Sequence, residues 1–166
     1  MNTPFVFLWT AFFSFLPISE LRGGIPFAIV HGIPWYIAYP FCAVLNALVA
    51  PACWIFLATL HKLFLKMAWY QNLFDRFVER ARTKLHNGVE KWGAVGVAIF
   101  VAIPFPLTGA WTGTLGAWAL GLSKRKTMLA VITGVVVAGA IVTLVMTLGI
   151  QGLQFFLKRD AMPTPG

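Results

Sequence analysis

Long charge-free stretches dominate the chain and predict helices that cross a membrane. Four runs contain no Asp, Glu, Lys or Arg: residues 1–19, 23–61, 92–123 and 127–157. Inside them, residues 35–60 and 127–150 are apolar for longer than the roughly 20 residues that a helix needs to cross a hydrocarbon core of about 30 Å. We therefore predict two spanning helices.

The other two apolar regions are interrupted by proline and glycine. Their apolar stretches cover residues 4–16, 93–103 and 110–120, each about half of a span. Proline removes a helix hydrogen bond and glycine permits a sharp turn. The predicted hairpin breaks are Pro17, Pro26, Pro104 and Pro106. The pattern favours two re-entrant helical hairpins, each entering and leaving by the same face, over two tight pairs of full spans.

An internal repeat supports this interpretation. A shift of 89 residues places Pro17 on Pro106, Gly24 on Gly113, Ala28 on Ala117 and Gly32 on Gly121. The same shift places residues 35–60 on 124–149, so the order of hairpin and then span repeats. One spanning helix separates the hairpins, which therefore open to opposite faces. Such inverted repeats occur in many secondary transporters, and broken helices at membrane depth persist only where they line a cavity or are buried.

The predicted fold is all-α and integral to the membrane. A single transmembrane domain covers residues 1–150, with repeat one at 4–60, a linker at 61–92 and repeat two at 93–150, before a tail at 151–166. Apolar residues in the linker recur every three or four positions, at Met67, Tyr70, Phe74, Phe77, Ala81 and Leu85. This spacing predicts an amphipathic helix that lies against lipid headgroups or against its own bundle.

Composition and charge exclude a soluble globular enzyme. Hydrophobic residues make up 59% and charged residues 11% of the chain, against about 25% charged in an ordinary soluble domain. The net charge of +8 does not indicate nucleic acid, because the basic residues flank apolar runs. Ten of the thirteen lie in residues 61–92 and 124–126. We expect these segments to be cytoplasmic, in a multi-pass protein of the cell membrane.

Candidate chemistry in the first hairpin centres on Glu20 and Arg22, the only charged residues among the first 61. An ionisable residue at membrane depth is a functional-site hypothesis by default. Gly23 and Gly24 follow, where backbone can approach a ligand closely. Three alternatives stay open. The two charges form an ion pair that holds the turn, or Arg22 binds an anionic group while Glu20 exchanges protons, or Glu20 binds a lipophilic cation.

The second hairpin offers polar groups without charge: Thr108, Gly109, Trp111 and Thr112. The second helix of each hairpin begins at the joint, so its positive N-terminus points toward the membrane centre and favours an anion. We expect a binding site between the two joints, for a carboxylate or phosphate head. Asn46 is expected to bond a neighbouring helix or the ligand. No residue set suggests catalysis, a metal site or a cofactor.

Two segments carry a family resemblance: Pro-Ile-Ser-Glu-Leu-Arg-Gly-Gly-Ile-Pro at 17–26 and Ala-Ile-Pro-Phe-Pro-Leu-Thr-Gly-Ala-Trp-Thr-Gly at 102–113. In their expected order they resemble the signatures of the small multi-drug export protein family, over roughly residues 5–150. The resemblance implies export of small toxic compounds. The family is distantly similar to DedA/VTT-type membrane proteins, which share paired re-entrant hairpins and are implicated in moving lipids such as polyprenyl phosphates. That similarity implies functional roles for Glu20 and Arg22. The DedA pattern also expects arginines near the second turn, and this chain has none between Lys91 and Lys124.

These observations favour a transporter over an enzyme. We expect a proton-linked secondary transporter or exporter of a small amphiphilic solute, with its site between the hairpins. The alternatives are a flippase for an anionic lipid and a non-transporting membrane scaffold. Expected partners are membrane lipids, the amphiphilic or anionic lipid substrate and a second copy of the chain, because so few crossings cannot bury both hairpins. No nucleic-acid partner is expected.

Overall fold

Helices form most of the chain in the computed structural model. The structure describes residues 3–59, 71–72, 74–76, 78–81, 83, 85, 92–105 and 108–160, the last ten as backbone only. The helices are α1 (Thr3–Phe15), α2 (Glu20–Val30), α3 (Trp35–Ala47), α4 (Val49–Thr59), α5 (Ala94–Ala102), α6 (Ala110–Ala119) and α7 (Lys124–Asp160). The described residues between 71 and 85 are also helical. The all-α prediction is confirmed for the described part of the chain.

In the described part of the chain, two helices are long and apolar enough to cross a membrane, as predicted. They are Trp35–Thr59, with 25 residues, and Lys124–Ile150, with 27. The first consists of α3 and α4, which are separated only at Leu48. Pro51 explains the interruption, because it has no N–H to donate to Ala47 and its ring crowds that carbonyl. Helix α7 continues to Asp160, so it includes the first ten residues of the predicted tail.

Each predicted hairpin is a pair of short helices joined by a turn. In the first pair, α1 and α2 have 13 and 11 residues and are joined by residues 16–19. In the second pair, α5 and α6 have 9 and 10 residues. Pro17 and Pro104 lie in the two joints, as predicted. Pro106 lies outside the described residues.

The prediction that Pro26 breaks the first hairpin was wrong. Helix α2 runs through this position, and the joint ends before Glu20. A proline inside a helix removes one bond, here the one to the Arg22 carbonyl, without necessarily ending the helix. The neighbours Ile25 and Ala28 are fully buried, and their packing holds α2 in place.

Both helix pairs end in the same turn, at positions 89 residues apart. Gly32 and Gly121 have φ of +88° and +77°, a left-handed conformation that favours glycine. In each turn the glycine N–H bonds a carbonyl three residues back and the next N–H bonds one five residues back, at 2.9 to 3.1 Å. This is the Schellman arrangement of a helix C-terminus. Gly32 and Gly121 are positions that the 89-residue shift of the predicted repeat places on each other.

Helix α7 contacts α2, α3, α4, α5 and α6 and so organises the core. Small residues let it approach closely. A Cβ atom on Gly134 would lie 2.7 Å from the Ala98 carbonyl oxygen, and one on Gly139 would lie 2.6 Å from the Tyr39 ring. Close helix packing of this kind is typical of membrane bundles. The Tyr39 hydroxyl also donates to the Val136 carbonyl at 3.0 Å.

The amphipathic segment packs its apolar face on α6. Ala81 and Leu85 are buried, whereas Arg76, Glu79 and Arg80 are exposed. A Cβ atom on Gly116 would lie 3.2 Å from the Ala81 carbonyl oxygen, and the rings of Phe74 and Trp118 are in contact. Of the two predicted positions for this helix, the described residues show contact with its own bundle. Met67, Tyr70 and Phe77 lie outside the described residues.

Large apolar side chains cover much of the outer surface. Ile18 is 88% exposed, Leu129 69% and Leu8 66%, and many others on α1, α3, α5 and α7 are exposed as well. Soluble monomers rarely carry contiguous apolar patches of this extent. Such a surface suits a hydrocarbon surrounding and supports placement in a membrane.

Candidate functional site between the two helix pairs

The Glu20 carboxylate caps the second helix of the other pair. Glu20 is 5% exposed and has a left-handed φ of +49°. Its Oε2 accepts a hydrogen bond from the N–H of Ala110 at 3.2 Å, and its Oε1 accepts one from the N–H of Trp111 at 3.3 Å. These N–H groups open α6 and have no partner within the helix. When Glu20 is ionised, its negative charge lies at the positive end of the helix dipole.

This cap changes the predicted role of the α6 N-terminus. The sequence suggested that the terminus would attract an external anion. In the structure the anion is the protein's own Glu20 side chain, because Gly109, the residue before α6, leaves room for it. Gly109 is buried at the contact.

Arg22 binds the joint of the second pair through three carbonyl or hydroxyl oxygens. Its Nη1 donates to the Phe105 carbonyl, and its Nη2 donates to the Thr108 carbonyl. Nη2 also donates to the Thr108 hydroxyl at 3.1 Å. That hydroxyl lies 2.7 Å from the Ile103 and Phe105 carbonyl oxygens. The hydrogen bonds of Glu20 and Arg22 thus run to the second pair rather than to each other.

Trp111 completes the contact in the opposite direction. Its indole N–H donates to the Phe15 carbonyl at 2.9 Å. Phe15 is the last residue of α1, where helix carbonyls lack internal partners. The two rings also meet edge to face, with centroids 5.6 Å apart. Each helix pair therefore supplies hydrogen-bond partners for the unpaired backbone groups at a helix end of the other pair.

Asn46 connects α3, the first part of the long apolar helix Trp35–Thr59, to the first pair. The side chain is fully buried, and its Nδ2 donates to the Ser14 carbonyl at 3.0 Å. Its Oδ1 has no hydrogen-bond partner in the part of the chain that the structure describes. The amide also lies beside the Glu20 carboxyl group. Of its two predicted roles, the structure shows the helix contact.

The remaining predicted residues are placed differently. Gly23 and Gly24 lie inside α2, where they allow close packing. A Cβ atom on Gly24 would lie 3.2 Å from Cys42 Sγ, and one on Gly23 would lie 3.2 Å from Ser19 Cβ. Thr112 is half-buried on α6. The joint contact therefore brings together Glu20, Arg22, Thr108, Gly109 and Trp111, whereas these two glycines face neighbouring protein atoms.

A cavity of about 230 Å³ lies beside Arg22. It is lined by Arg22 and Pro26 of α2, by Pro104, and by Ile141, Val142, Val145 and Met146 of α7. Among the described residues that line it, only Arg22 is charged. Sequence reasoning missed the α7 residues, because apolar positions of a spanning helix look alike whether they face lipid, protein or a cavity. The cavity can hold a molecule with both a polar and an apolar part.

The fold and the surface define a helical membrane protein in which Glu20 and Arg22 lie at the contact between two short helix pairs. The family model described as "Putative small multi-drug export protein" matches residues 20–141, and the chain belongs to this family. The matched region begins at Glu20 and includes Arg22, Thr108 and Trp111, which also take part in the contact. No curated protein and no solved structure matches the chain. The family name indicates a role in membrane transport.

Proposed function

We propose that the protein is a proton-linked secondary transporter of the cell membrane that exports a small amphiphilic solute. The observation that carries this proposal is the contact of Glu20 and Arg22 with the second helix pair, beside a cavity whose one charged lining residue in the described part of the chain is Arg22. Charges at membrane depth are costly and are usually retained for function. Membership of a small multi-drug export family supports the same role.

The short helices favour a re-entrant arrangement. At a rise of 1.5 Å per residue, α1 and α2 are about 20 and 16 Å long, well short of a hydrocarbon core of about 30 Å. Each pair then enters and leaves by one face, and the spanning helix between them makes the pairs open to opposite faces. The repeated turn supports this, as do the helix starts at Trp35 and Lys124, which lie 89 residues apart. Residues 61–92 and 124–126 then lie in the cytoplasm.

Alternating access would require the two pairs to separate and rejoin around the cavity. In the structure, the Glu20 carboxylate holds the start of α6 through two N–H groups. Protonation removes the negative charge and weakens both bonds, because charge-assisted hydrogen bonds are roughly twice as strong as neutral ones. A proton taken up by Glu20 would therefore loosen the contact, and its release would restore it. This couples proton movement to the rocking of the two repeats.

A liposome assay tests the proposal. Purified protein is reconstituted, and uptake of labelled amphiphiles is followed with and without a pH gradient. We expect the gradient to accelerate uptake in the native protein and to have no effect in Glu20→Gln. Glu79→Gln, which changes an exposed carboxylate on the amphipathic segment, is the matched control and should behave like the native protein. A gradient effect that persists in Glu20→Gln would refute the coupling through Glu20.

The same assay separates the alternatives. Labelled polyprenyl phosphate in one leaflet tests the flippase reading. If no solute or lipid moves while the protein still functions in cells, a scaffold role is favoured, and substitutions in 61–92 should then matter more than those at the joints. Light scattering in detergent tests the expected homodimer.

A further inference from the structure

The geometry points to an anionic amphiphile as the ligand of the cavity beside Arg22, with a carboxylate or phosphate-monoester head on an apolar chain. The head would bind the guanidinium group, and the chain would lie along α7. This inference deepens the proposed function and rests on it. It concerns which solutes the same site accepts.

The charge of the lining favours an anion. Among the described residues, Arg22 is the only charged one that lines the cavity. The neighbouring carboxylate, Glu20, is 5% exposed, and both of its oxygens bond the start of α6. The hydrogen bonds of Arg22 in the described part of the chain go to neutral oxygens of Phe105 and Thr108, and Glu20 acts on Arg22 through its charge without a hydrogen bond to it. In a low-dielectric surrounding, an anion is the favourable partner for such a charge.

Arg22 has more N–H donors than described acceptors. A guanidinium group has five N–H donors, and Arg22 makes three hydrogen bonds to the described residues of the second joint. Two donors therefore have no acceptor among the described residues and can serve a ligand. The bonds to Phe105 and Thr108 hold the side chain in place, so little conformational freedom is lost when a ligand binds. Hydrogen bonds from arginine to a carboxylate or phosphate are among the strong ones.

The side of the cavity formed by α7 is apolar. Ile141 and Val145 are four residues apart on α7, as are Val142 and Met146, so they form one face of the helix. Ile141 is 38% exposed and Val145 63%. The cavity is therefore open at the outer surface of α7, where lipid chains would lie. An amphiphile can enter from the bilayer with its chain against this face.

A cationic head fits this cavity poorly. It would meet the like charge of Arg22 on losing its water, and no lining residue offers a carboxylate. Like charges that come together in a desolvated site repel strongly. The alternative in which Glu20 binds a lipophilic cation is disfavoured for the same reason, since its oxygens already bond Ala110 and Trp111.

Equilibrium dialysis tests this directly, without transport. The protein is placed in phosphatidylcholine nanodiscs, and binding of radiolabelled octyl phosphate and octyltrimethylammonium is compared with empty nanodiscs. We expect saturable binding of octyl phosphate only. Arg22→Gln should weaken it about 10- to 100-fold, the equivalent of a charge-assisted bond of roughly 1.5–3 kcal/mol. Arg22→Lys should retain part of the affinity, because it keeps the charge.

A second variant protects the test against misfolding of the Arg22 variants. Val145→Trp fills the cavity from the exposed face of α7, and octyl phosphate binding should fall about tenfold. Leu144→Trp is its matched control, because Leu144 is 58% exposed on the same helix but does not line the cavity. It should bind octyl phosphate like the native protein. Octyl phosphate binding that is unchanged in Val145→Trp, or saturable binding of octyltrimethylammonium, would overturn the inference.

Two further measurements distinguish a lipid ligand from a soluble one, and failure of the anionic site from failure of the transporter role. Nanodiscs that contain phosphatidic acid should reduce octyl phosphate binding if a phosphate-headed lipid is the ligand, and should leave it unchanged if a soluble amphiphile is. Liposome uptake is measured in parallel. Uptake of cationic solutes that is unaffected by Arg22→Gln would leave the transporter role standing and refute the anionic site. Anion binding without transport of any solute would support the anionic site and refute the transporter role.

Discussion

Gly109 and Glu20 lie so close together that a side chain at position 109 and the Glu20 carboxyl group cannot occupy the same site. A Cβ atom on Gly109 would lie 2.6 Å from Glu20 Cδ. Gly109 also has a φ of +154°, which L side chains rarely adopt. The contact between the two helix pairs therefore depends on a glycine in one pair as much as on a carboxylate in the other.

Gly109→Ala should weaken the contact and lower the stability of the protein. The new Cβ atom displaces the Glu20 carboxyl group and leaves the N–H groups of Ala110 and Trp111 without their acceptor. Each buried unpaired group costs about 1–3 kcal/mol. We expect a lower midpoint of thermal unfolding in detergent and loss of transport in liposomes.

Gly121→Ala is the matched control for this substitution. Gly121 also has a positive φ, but a Cβ atom there would meet nothing within 4 Å. The backbone cost is about 1–2 kcal/mol at Gly121, which is left-handed, and of order 1–3 kcal/mol at Gly109, whose φ of +154° and ψ of −165° are essentially restricted to glycine. Equal unfolding midpoints for the two variants would show that the Glu20 contact contributes no stability.

Trp111→Phe should remove one hydrogen bond between the pairs while keeping an aromatic ring against Phe15. The lost bond, from the indole N–H to the Phe15 carbonyl, is 2.9 Å long. We expect a decrease in the free energy of unfolding of about 0.5–1.5 kcal/mol. Trp35→Phe, at an exposed position of α3, should change stability little. A decrease of the same size in both would indicate a loss of aromatic area rather than of the bond.

Gly134→Val should force α7 away from α5. The Cβ position at Gly134 is already 2.7 Å from the Ala98 carbonyl oxygen, and overpacking typically costs about 1–3 kcal/mol. Gly149→Val makes the same change in the same helix where nothing lies within 4 Å. Thermal unfolding should separate the two variants clearly. If Gly149→Val is equally destabilised, the effect does not come from helix packing.

A cysteine at position 18 should report the depth of the first joint. Ile18 is 88% exposed on the joint, so a re-entrant arrangement places it among lipid chains near the midplane. We expect Ile18→Cys to resist a membrane-impermeant maleimide from both sides of intact vesicles. Gly32→Cys should label from outside and Ser123→Cys from the cytoplasm. The native Cys42 and Cys53 are buried. Labelling of Ile18→Cys from the cytoplasm would indicate full spans instead.

The helical pattern could be predicted from the sequence because it depends on local chemistry. Apolar length predicted the spanning helices, and proline and glycine predicted the joints near Pro17 and Pro104. The error at Pro26 shows the limit of local rules. Burial of Ile25 and Ala28 holds α2 together across a missing hydrogen bond, and burial depends on neighbours that are distant in the sequence.

The candidate site, like the fold, could be predicted from the sequence only in part. The isolated charged residues at positions 20 and 22 could be identified as site candidates from the sequence, since charge in an apolar run is rare and costly. The residues that they contact could not be identified in this way. The sequence allowed a mutual ion pair, an external anion or a cation, and each alternative satisfied the local pattern equally well. The bonds from Glu20 to α6 and from Arg22 to Phe105 and Thr108 join residues 83 to 91 positions apart.

By itself the sequence determined that this is a helical membrane protein with two apolar segments long enough to span a bilayer, two interrupted apolar regions and two exceptional charges. Hydrophobic length and helix-breaking residues act over a few positions, so they can be read along the chain. Only the tertiary structure decided that Glu20 caps α6 and that α7 supplies the apolar lining of the cavity beside Arg22. Those contacts depend on how the helices pack, because a helix end or an apolar helix face accepts many partners and packing selects one.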